Sequence, residues 1–484
     1  MKIKITISFV LLFAVICQGS SAKGPLVVHP ENPRYFMVKG DPEKKAVYLT
    51  GSHTHFVFQD EKLTNLKTVN YDQDCSLSEK DTNYLPWNDC YLDFLQYYGH
   101  NFTRGWVWEQ ACWAPWTKED VRYSPVIYQR TGPGKARDGE PKFDLTKFNQ
   151  EYFDRLRERI IAASKRGIYV SVMLFEGWSI ERKAKKGREH ERGNPWLGHP
   201  FNRDNNINDI DGDPNQDDEG KETHTLALPE VTRLQEIYVK KVIDELNNLD
   251  NILWEISNES HKDSAPWHYH IINFIKKYEK TKPKQHLIGM TGYVLNNQEL
   301  FESPADWISP NKKSPTHKEG YRHNPPDAEG KKIIISDTDH LWGFGGNHSW
   351  VWRSFTRGMH PIYMDPLCGR WDVTEKRSIL LRHALGHTLR FAGKVDLARM
   401  TPRNDLSSTK FCLANPGKEY VIYQPAKKAF NLKLSTGSYY YEWFDPQAGK
   451  VLKTGKIIIK TTEQNFTPLP SCVYDSVLYL KKVK

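Results

Sequence analysis

The sequence predicts an α/β fold, a (β/α)8 TIM barrel followed by a small antiparallel β-sandwich, and three observations carry that reading. Eight apolar strand signals alternate with helical ones between Ala46 and Phe391. The clearest of them, Asn251-Ile-Leu-Trp-Glu-Ile-Ser-Asn-Glu-Ser260, stops abruptly at polar residues, as a buried parallel strand does where it delivers side chains to the carboxyl end of a barrel. Beyond Arg399 the helical period disappears, and short apolar segments recur between Pro, Gly and Asn turns. At 484 residues the chain exceeds one ordinary core, which divides it into a barrel over 23–400 and a sandwich over 401–484.

The first strand is Ala46 to Ser52, followed by the polar, aromatic stretch His53-Thr-His-Phe-Val-Phe-Gln-Asp60. A helix from Cys90 to Tyr98 leads through Gly99 into the second strand, Asn101 to Trp108. Phe148, Tyr152, Phe153, Leu156, Ile160 and Ile161 recur at helical spacing, Gly167 stops that helix, and Ile168 to Phe175 is the third strand. Val239, Val242, Ile243 and Leu246 mark the helix before the fourth strand, and Trp267, Ile271, Phe274 and Tyr278 the helix after it. Strands five to eight are His286 to Thr291, Asp306 to Pro310, Lys332 to Asp337 and Pro361 to Asp365, with a closing helix from Thr374 to Phe391. An open doubly wound sheet is the alternative, but no strand is followed by a Gly-rich phosphate loop. The sandwich strands are read at Phe411–Ala414, Tyr420–Tyr423, Phe430–Leu434, Tyr439–Trp443, Ile457–Ile459 and Val477–Tyr479.

The amino terminus reads as an export signal over 1–22: Lys2 and Lys4 are a basic start, Ile5 to Ile16 an apolar stretch, and Ser20-Ser-Ala22 a small-residue cleavage site. An exported, periplasmic or extracellular protein is expected. Lipoprotein anchoring through Cys17 is the lesser alternative, because Ile16 is bulky where such sites want a small residue. No stretch is long and apolar enough to predict a retained membrane span. Without Lys2 and Lys4 the formal charge falls from +9 to +7 with the lysines scattered, so the composition suits a solubilising surface and is compatible with an anionic polysaccharide partner. Nucleic acid is not expected, for no binding motif is present. The 15 Trp, 24 Tyr and 21 Phe supply a core and rings on which sugars can stack. Six cysteines remain after export; none forms a CxxC pair, and Cys75 with Cys90 and Cys412 with Cys472 are the pairs open to disulfide formation.

Reading off the strand ends gives His53 and His55, Arg104 with Trp106, Trp108 and Glu109, Glu176 with Trp178, Asn258 with Glu259, Tyr293, Asp337 with Asp339, His340 and Trp342, and Asp365. Carboxylates facing one another across such a cleft are what glycosidic cleavage needs, one as a protonated acid and one as an ionised nucleophile or base. Glu255 shares parity with Glu259 but lies deeper, where pairing with a cation such as Arg104 is expected. The run Trp254-Glu-Ile-Ser-Asn-Glu259 resembles the fourth-strand signature of the clan A, cellulase-like glycoside hydrolases, and nearly the whole chain after the signal is similar to exported bacterial members with a small C-terminal β-domain. That resemblance implies a retaining glycosidase without a cofactor, acting on a poly- or oligosaccharide. Carried over, Asn258 is a substrate-binding amide, Glu259 the general acid/base, Arg104 the second-strand arginine, and Asp337 the nucleophile. The clan has Glu at that last position, so Asp339 stands as the other candidate. His53, His55, Glu176, Trp178, Tyr293, His340 and Trp342 are the remaining candidate sugar-binding residues.

Two rivals belong to other classes. His53-Thr-His55 at a first strand resembles the metal site of the amidohydrolases, and Asp365 could supply that family's last ligand, but no His follows strands five and six at the required ends. The shorter Asp at strand seven also fits a non-catalytic carbohydrate-binding barrel. The sequons at Asn101, Asn258, Asn347 and Asn465 would invite glycosylation in a eukaryotic route, against which the placement of Asn258 in the site argues.

Overall fold

The computed structural model describes residues 24–55, 58–63, 89–117, 119–183, 191–292, 295–312, 320–365, 375–472 and 474–483. The export signal with Cys17, the side chains of Cys75, Cys90 and Cys368, and Tyr293 lie outside the described residues. Eight strands form one parallel sheet: β1 (Gly51–His53), β2 (Phe102–Gly105), β3 (Tyr169–Glu176), β4 (Ile252–Asn258), β5 (Ile288–Thr291), β6 (Trp307–Ser309), β7 (Ile333–Asp337) and β8 (His360–Met364). Pairing runs in sequence order from β2 to β8, and β8 pairs with β1.

The remaining seam, between β1 and β2, is closed by Asn101. Its amide N donates to Thr50 O at 3.1 Å, its Oδ1 accepts from Thr50 N at 2.9 Å, and its Nδ2 donates to Tyr48 O at 2.8 Å. The Asn101 side chain is thus part of the barrel wall. The strands come so close there that a Cβ on Gly51 would lie 2.1 Å from Phe102 O, which only glycine permits. The first strand is shorter than the sequence predicts because Leu49 N donates to His360 Nδ1 and Thr50 N to Asn101 Oδ1, side-chain bonds that replace ladder bonds.

Helices follow the strands around the outside: α1 (Asp89–Tyr97), α2 (Gln150–Ser164), α3 (Pro229–Leu246), α4 (Ala265–Glu279), α5 (Asn297–Glu302), α6 (Gly320–His323), α7 (Thr338–Leu341), α8 (His348–Thr356) and α9 (Lys376–Lys394). Asn149 caps α2 by accepting from Glu151 N, and the helix buries Tyr152, Phe153, Leu156, Ile160 and Ala163. Pro229 starts α3, which buries the predicted stripe Val239, Val242, Ile243 and Leu246. An antiparallel ribbon, Leu26–Val28 with Phe36–Val38, adds Leu26 and Phe36 to a cluster with Phe102, Leu253, Trp307, Ile333, Ile335 and Ile362. Among the described residues no helix is long and apolar enough to cross a membrane.

The C-terminal region is a six-stranded antiparallel sheet, in the order Thr401–Pro402, Cys412–Asn415, Glu419–Gln424, Ser476–Lys482, Gly437–Asp445 and Lys450–Ile459, with a two-stranded ribbon of Phe430–Lys433 and Glu463–Phe466. Period-two alternation divides its side chains: Tyr420, Ile422, Leu478 and Leu480 pack with Phe430, Leu432 and Phe466, while Val421, Tyr423, Val477 and Tyr479 join the barrel's core. Cys412 and Cys472, a pair that the sequence leaves open to disulfide formation, are not bridged. Both are buried free thiols, as is Cys112.

Candidate active site

At the carboxyl end of the barrel a buried polar layer surrounds Arg104 of β2. Its Nη2 and Nε donate to Glu255 Oε1 and Oε2 at 2.5 and 3.2 Å, Nη2 also to Asn258 Oδ1 at 2.8 Å, and Nη1 to Asp337 Oδ2 and Asp339 Oδ2 at 2.9 and 3.1 Å. The guanidinium fork thus ties β2, β4 and the end of β7 together. Glu255 is the deep partner that strand parity predicts, and it also accepts from Ser171 Oγ at 2.9 Å.

Asp337 closes β7 and caps α7, its Oδ1 accepting from Asp339 N at 2.9 Å. The same oxygen lies 2.9 Å from His53 Nε2. Trp106 Nε1 donates to His53 Nδ1 at 3.0 Å, and since an indole only donates, Nδ1 carries the lone pair and Nε2–H donates to Asp337. Burial favours a neutral Asp337, but the His53 ring and the Arg104 guanidinium outweigh it and hold the carboxyl well below its usual range. Both Asp337 oxygens are therefore occupied and the residue is fully buried.

Asp339, two residues on, differs. Its Oδ2 accepts from Arg104, but among the described residues nothing donates to Oδ1, and the residue keeps 8% exposure. Burial and the neighbouring Asp337 charge raise its carboxyl to about 6. His340 is buried with both nitrogens in use: Nε2 donates to Asn258 Oδ1 at 3.1 Å, so Nδ1 faces Ser309 Oγ at 2.8 Å as acceptor, and burial lowers the ring to about 3. Asp337, Asp339 and His340 offer atoms within 4.8 Å of one another, the spacing of a metal site. The Arg104 guanidinium fills the space between the two aspartates, where a cation would have to sit.

Glu259 follows β4 in a left-handed conformation, φ +42°, which a side chain with a Cβ rarely adopts. Trp178 Nε1 donates to its Oε2 at 2.6 Å, and among the described residues Oε1 takes no hydrogen bond. Burial, with the Asp339 charge second, pushes the carboxyl up to about 8. Glu176, at the end of β3 beside Asn258, accepts from Trp178 N at 2.9 Å and Asn258 Nδ2 at 3.3 Å through Oε1, while Oε2 is buried without a partner. Burial raises it well above 4.5, and Glu259 and Asp339 add to the rise.

The predicted residues therefore separate into two shells. Arg104, Asn258, His53, Asp337 and His340 form the buried frame, and their polar atoms are engaged with one another. Glu259, Asp339 and Trp178 stand toward the cleft. His55 is there too, its ring stacked on Trp116 at 5.9 Å and edge-on to Phe344 at 6.2 Å; Trp116 lies 6.2 Å from Trp178. Trp342 packs instead against Trp350 at 5.5 Å, on the α8 side. Glu109 accepts from Glu176 N and pairs with His224 and His199, an internal brace and not a cleft acid. Asp365 is held by Arg382 at 2.6 and 2.7 Å, and His53 by Asp337 and Trp106, so the His53, His55 and Asp365 metal arrangement is not assembled. Sequence reasoning missed Trp116 and Lys183, which lie in long connections where no period signals a side chain's direction. Lys183 Nζ donates to Glu259 O at 2.6 Å and lies 3.9 Å from its Oε2.

A family model described as a domain of unknown function (DUF6298) matches residues 107–294, which hold β3, β4 and Glu259. No curated protein matches the chain. Among solved structures, a putative glycoside hydrolase from Bacteroides vulgatus superposes with a TM-score of 0.59 at 13% identity, covering 96% of this chain and 83% of that one. A glycoside hydrolase family 5 protein from Bacteroides vulgatus gives 0.55 at 12% identity over 95% and 94% of the two chains. A third, titled glycoside hydrolase, gives 0.56 at 12% identity over 95% and 97%. At such identities the likeness establishes the fold, which in all three extends over barrel and C-terminal domain together.

Proposed function

We propose that this chain is a glycoside hydrolase that cleaves O-glycosidic bonds in a poly- or oligosaccharide by a retaining, two-carboxylate mechanism. The observation that carries the reading is the opposed state of two acids: Glu259, pushed up to about 8 and with Oε1 free, and Asp339, with Oδ1 open beside Arg104. The shared fold with three proteins titled glycoside hydrolases supports it. In the first step Glu259 Oε1–H protonates the leaving oxygen while Asp339 Oδ1 attacks the anomeric carbon, forming a glycosyl ester and releasing the alcohol. Esterification removes the Asp339 charge, the second cause of the raised Glu259 value, so Glu259 becomes more acidic. In the second step its carboxylate takes a proton from water, which displaces Asp339. Asp337, bonded at both oxygens, positions Arg104 and α7 and is not the nucleophile in this reading. Trp116, His55 and Phe344 supply ring faces for the sugar.

Activity against a panel of aryl glycosides and polysaccharides tests the proposal. Asp339→Gly is expected to lose turnover by more than about 10³-fold and to regain part of it with added azide, giving a glycosyl azide. Rescue at Asp337→Gly alone would move the nucleophile to Asp337. Oligosaccharide binding without turnover anywhere in the panel would overturn the enzymatic reading. Export is proposed from residues 1–22, and a mature amino terminus at Lys23 is the expected result of sequencing the secreted protein.

A further inference from the structure

Glu259 occupies a backbone conformation that costs free energy, so something must hold it there. Two contacts from the connection after β3 do so. Gly177 N donates to Asn258 O at 2.8 Å, and Lys183 Nζ donates to Glu259 O at 2.6 Å. The Lys183 ammonium also lies 5.1 Å from the centroid of the Trp178 ring, whose N–H holds Glu259 Oε2. Its side chain is only 11% exposed, and among the described residues its nearest carboxylate oxygen is Glu259 Oε2 at 3.9 Å.

We propose that Lys183 is a positioning residue for Glu259: its ammonium clamps the acid's carbonyl and braces Trp178, and its charge sets the pH range over which Glu259 keeps its proton. The inference rests on the role given to Glu259 above. The charged and titratable groups facing Glu259 are Asp339 beyond β7, Arg104 on β2, Glu176 at the end of β3, and Lys183 itself. Asp339 and Glu176 favour the protonated acid; Arg104 and Lys183 favour its anion. Arg104 is neutralised by its own carboxylate partners, which leaves Lys183 as the cation whose nearest carboxylate among the described residues is the acid itself. Glu181, two residues before Lys183, interacts with it electrostatically and is half-buried.

Replacing the charge should therefore raise the pH at which Glu259 ionises. The Trp178 indole reports that event directly through its hydrogen bond. In protein labelled with 15N-tryptophan, with the resonance assigned by its loss in Trp178→Phe, the Nε1–H shift is followed against pH. Lys183→Met is expected to move the midpoint up by about one pH unit or more, and Lys183→Arg to leave it near the parent value. The alkaline limb of kcat/KM, where the acid loses its proton, should move with it, and kcat should fall more than KM changes. Lys183→Gln replaces the Met variant if that one does not fold. An unmoved midpoint in the uncharged variant overturns the inference whether or not glycosides are hydrolysed. A moved midpoint with no turnover supports the inference and removes only the glycosidase reading.

Discussion

Three buried carboxyls of the site, Glu176, Glu259 and Asp339, carry raised proton affinities, and this ties stability to pH. The folded chain keeps protons there that the unfolded chain releases above the ordinary carboxyl values, 4.5 for Glu and 3.8 for Asp. Their stabilising contribution is therefore complete below those values and is lost as pH rises, toward about 6 for Asp339 and about 8 for Glu259. Glu259→Gln removes one such group. Calorimetry should find it melting near the parent at pH 5 and above the parent at pH 8.5; a variant less stable than the parent at the higher pH would contradict the assignment. Glu176→Gln tests the same physics through activity. An amide mimics the neutral acid, and its nitrogen replaces an oxygen that has no partner, so kcat/KM should stay within about tenfold of the parent. A loss as large as that of Asp339→Gly would mean that Glu176 works ionised. At this scale the sequence was only half legible. It marked Glu259 and the Asp337/Asp339 alternative, but the difference between those aspartates lies in which oxygens meet Arg104, His53 and a helix amide, contacts that join β1, β2 and β7 across the barrel.

The elements were far more legible than the connections. A strand buried on both faces is a continuous apolar run, so β3, β4, β5, β7 and β8 follow the predicted segments within two residues at either end, and the stripes of α2 and α3 follow a 3.6-residue period. β2 ends at Gly105, short of the predicted Trp108, and β1 departs furthest, because Asn101 and His360 side chains bond the backbone ahead of it, a tertiary effect with no local pattern. The connection after β3 is the opposite case, since its residues are placed by what they touch. Gly177 shows this: a Cβ there would lie 2.4 Å from Glu259 O and 2.7 Å from Ser260 N, both backbone atoms that cannot swing aside. Gly177→Ala should therefore push the acid out of line. A displacement of about 1 Å can cost ~10²-fold in rate, while overpacking costs only ~1–3 kcal/mol of stability. Turnover and a urea midpoint measured on the same preparation separate the two. Full activity in the alanine variant would show that the turn adapts and that Glu259 is not held by this contact.

Barrel and sandwich share one apolar boundary, and this decides how the whole molecule unfolds. Trp352 of α8 is fully buried, stacked on Tyr423 at 6.2 Å, and within 5.9 Å of Phe444 and 5.3 Å of Phe391; Phe391 and Phe444 are themselves 5.0 Å apart. Polar contacts bound the patch. Tyr423 Oη donates to Asp475 Oδ2 and accepts from Ser349 Oγ, both at 2.8 Å, His348 Nε2 lies 3.2 Å from Asp475, and Lys394 pairs with Glu442 at 2.5 Å. Because the central strands of the sandwich put alternate residues into each core, detaching it would expose Val421, Tyr423, Phe444, Val477 and Tyr479 in one face. A domain that braces in this way cannot unfold without stripping α8 and α9, which follow β7 and β8. Intact protein is therefore expected to unfold in one transition in urea, with barrel and sandwich fluorescence changing together. Trp352→Ala removes the central ring at a cost of ~3–5 kcal/mol and should shift that midpoint down. If the sandwich instead melted separately in the parent, with turnover surviving its loss, the shared boundary would be a contact between independent domains, and Asp339, at the head of the β7 to α8 connection, would not depend on it.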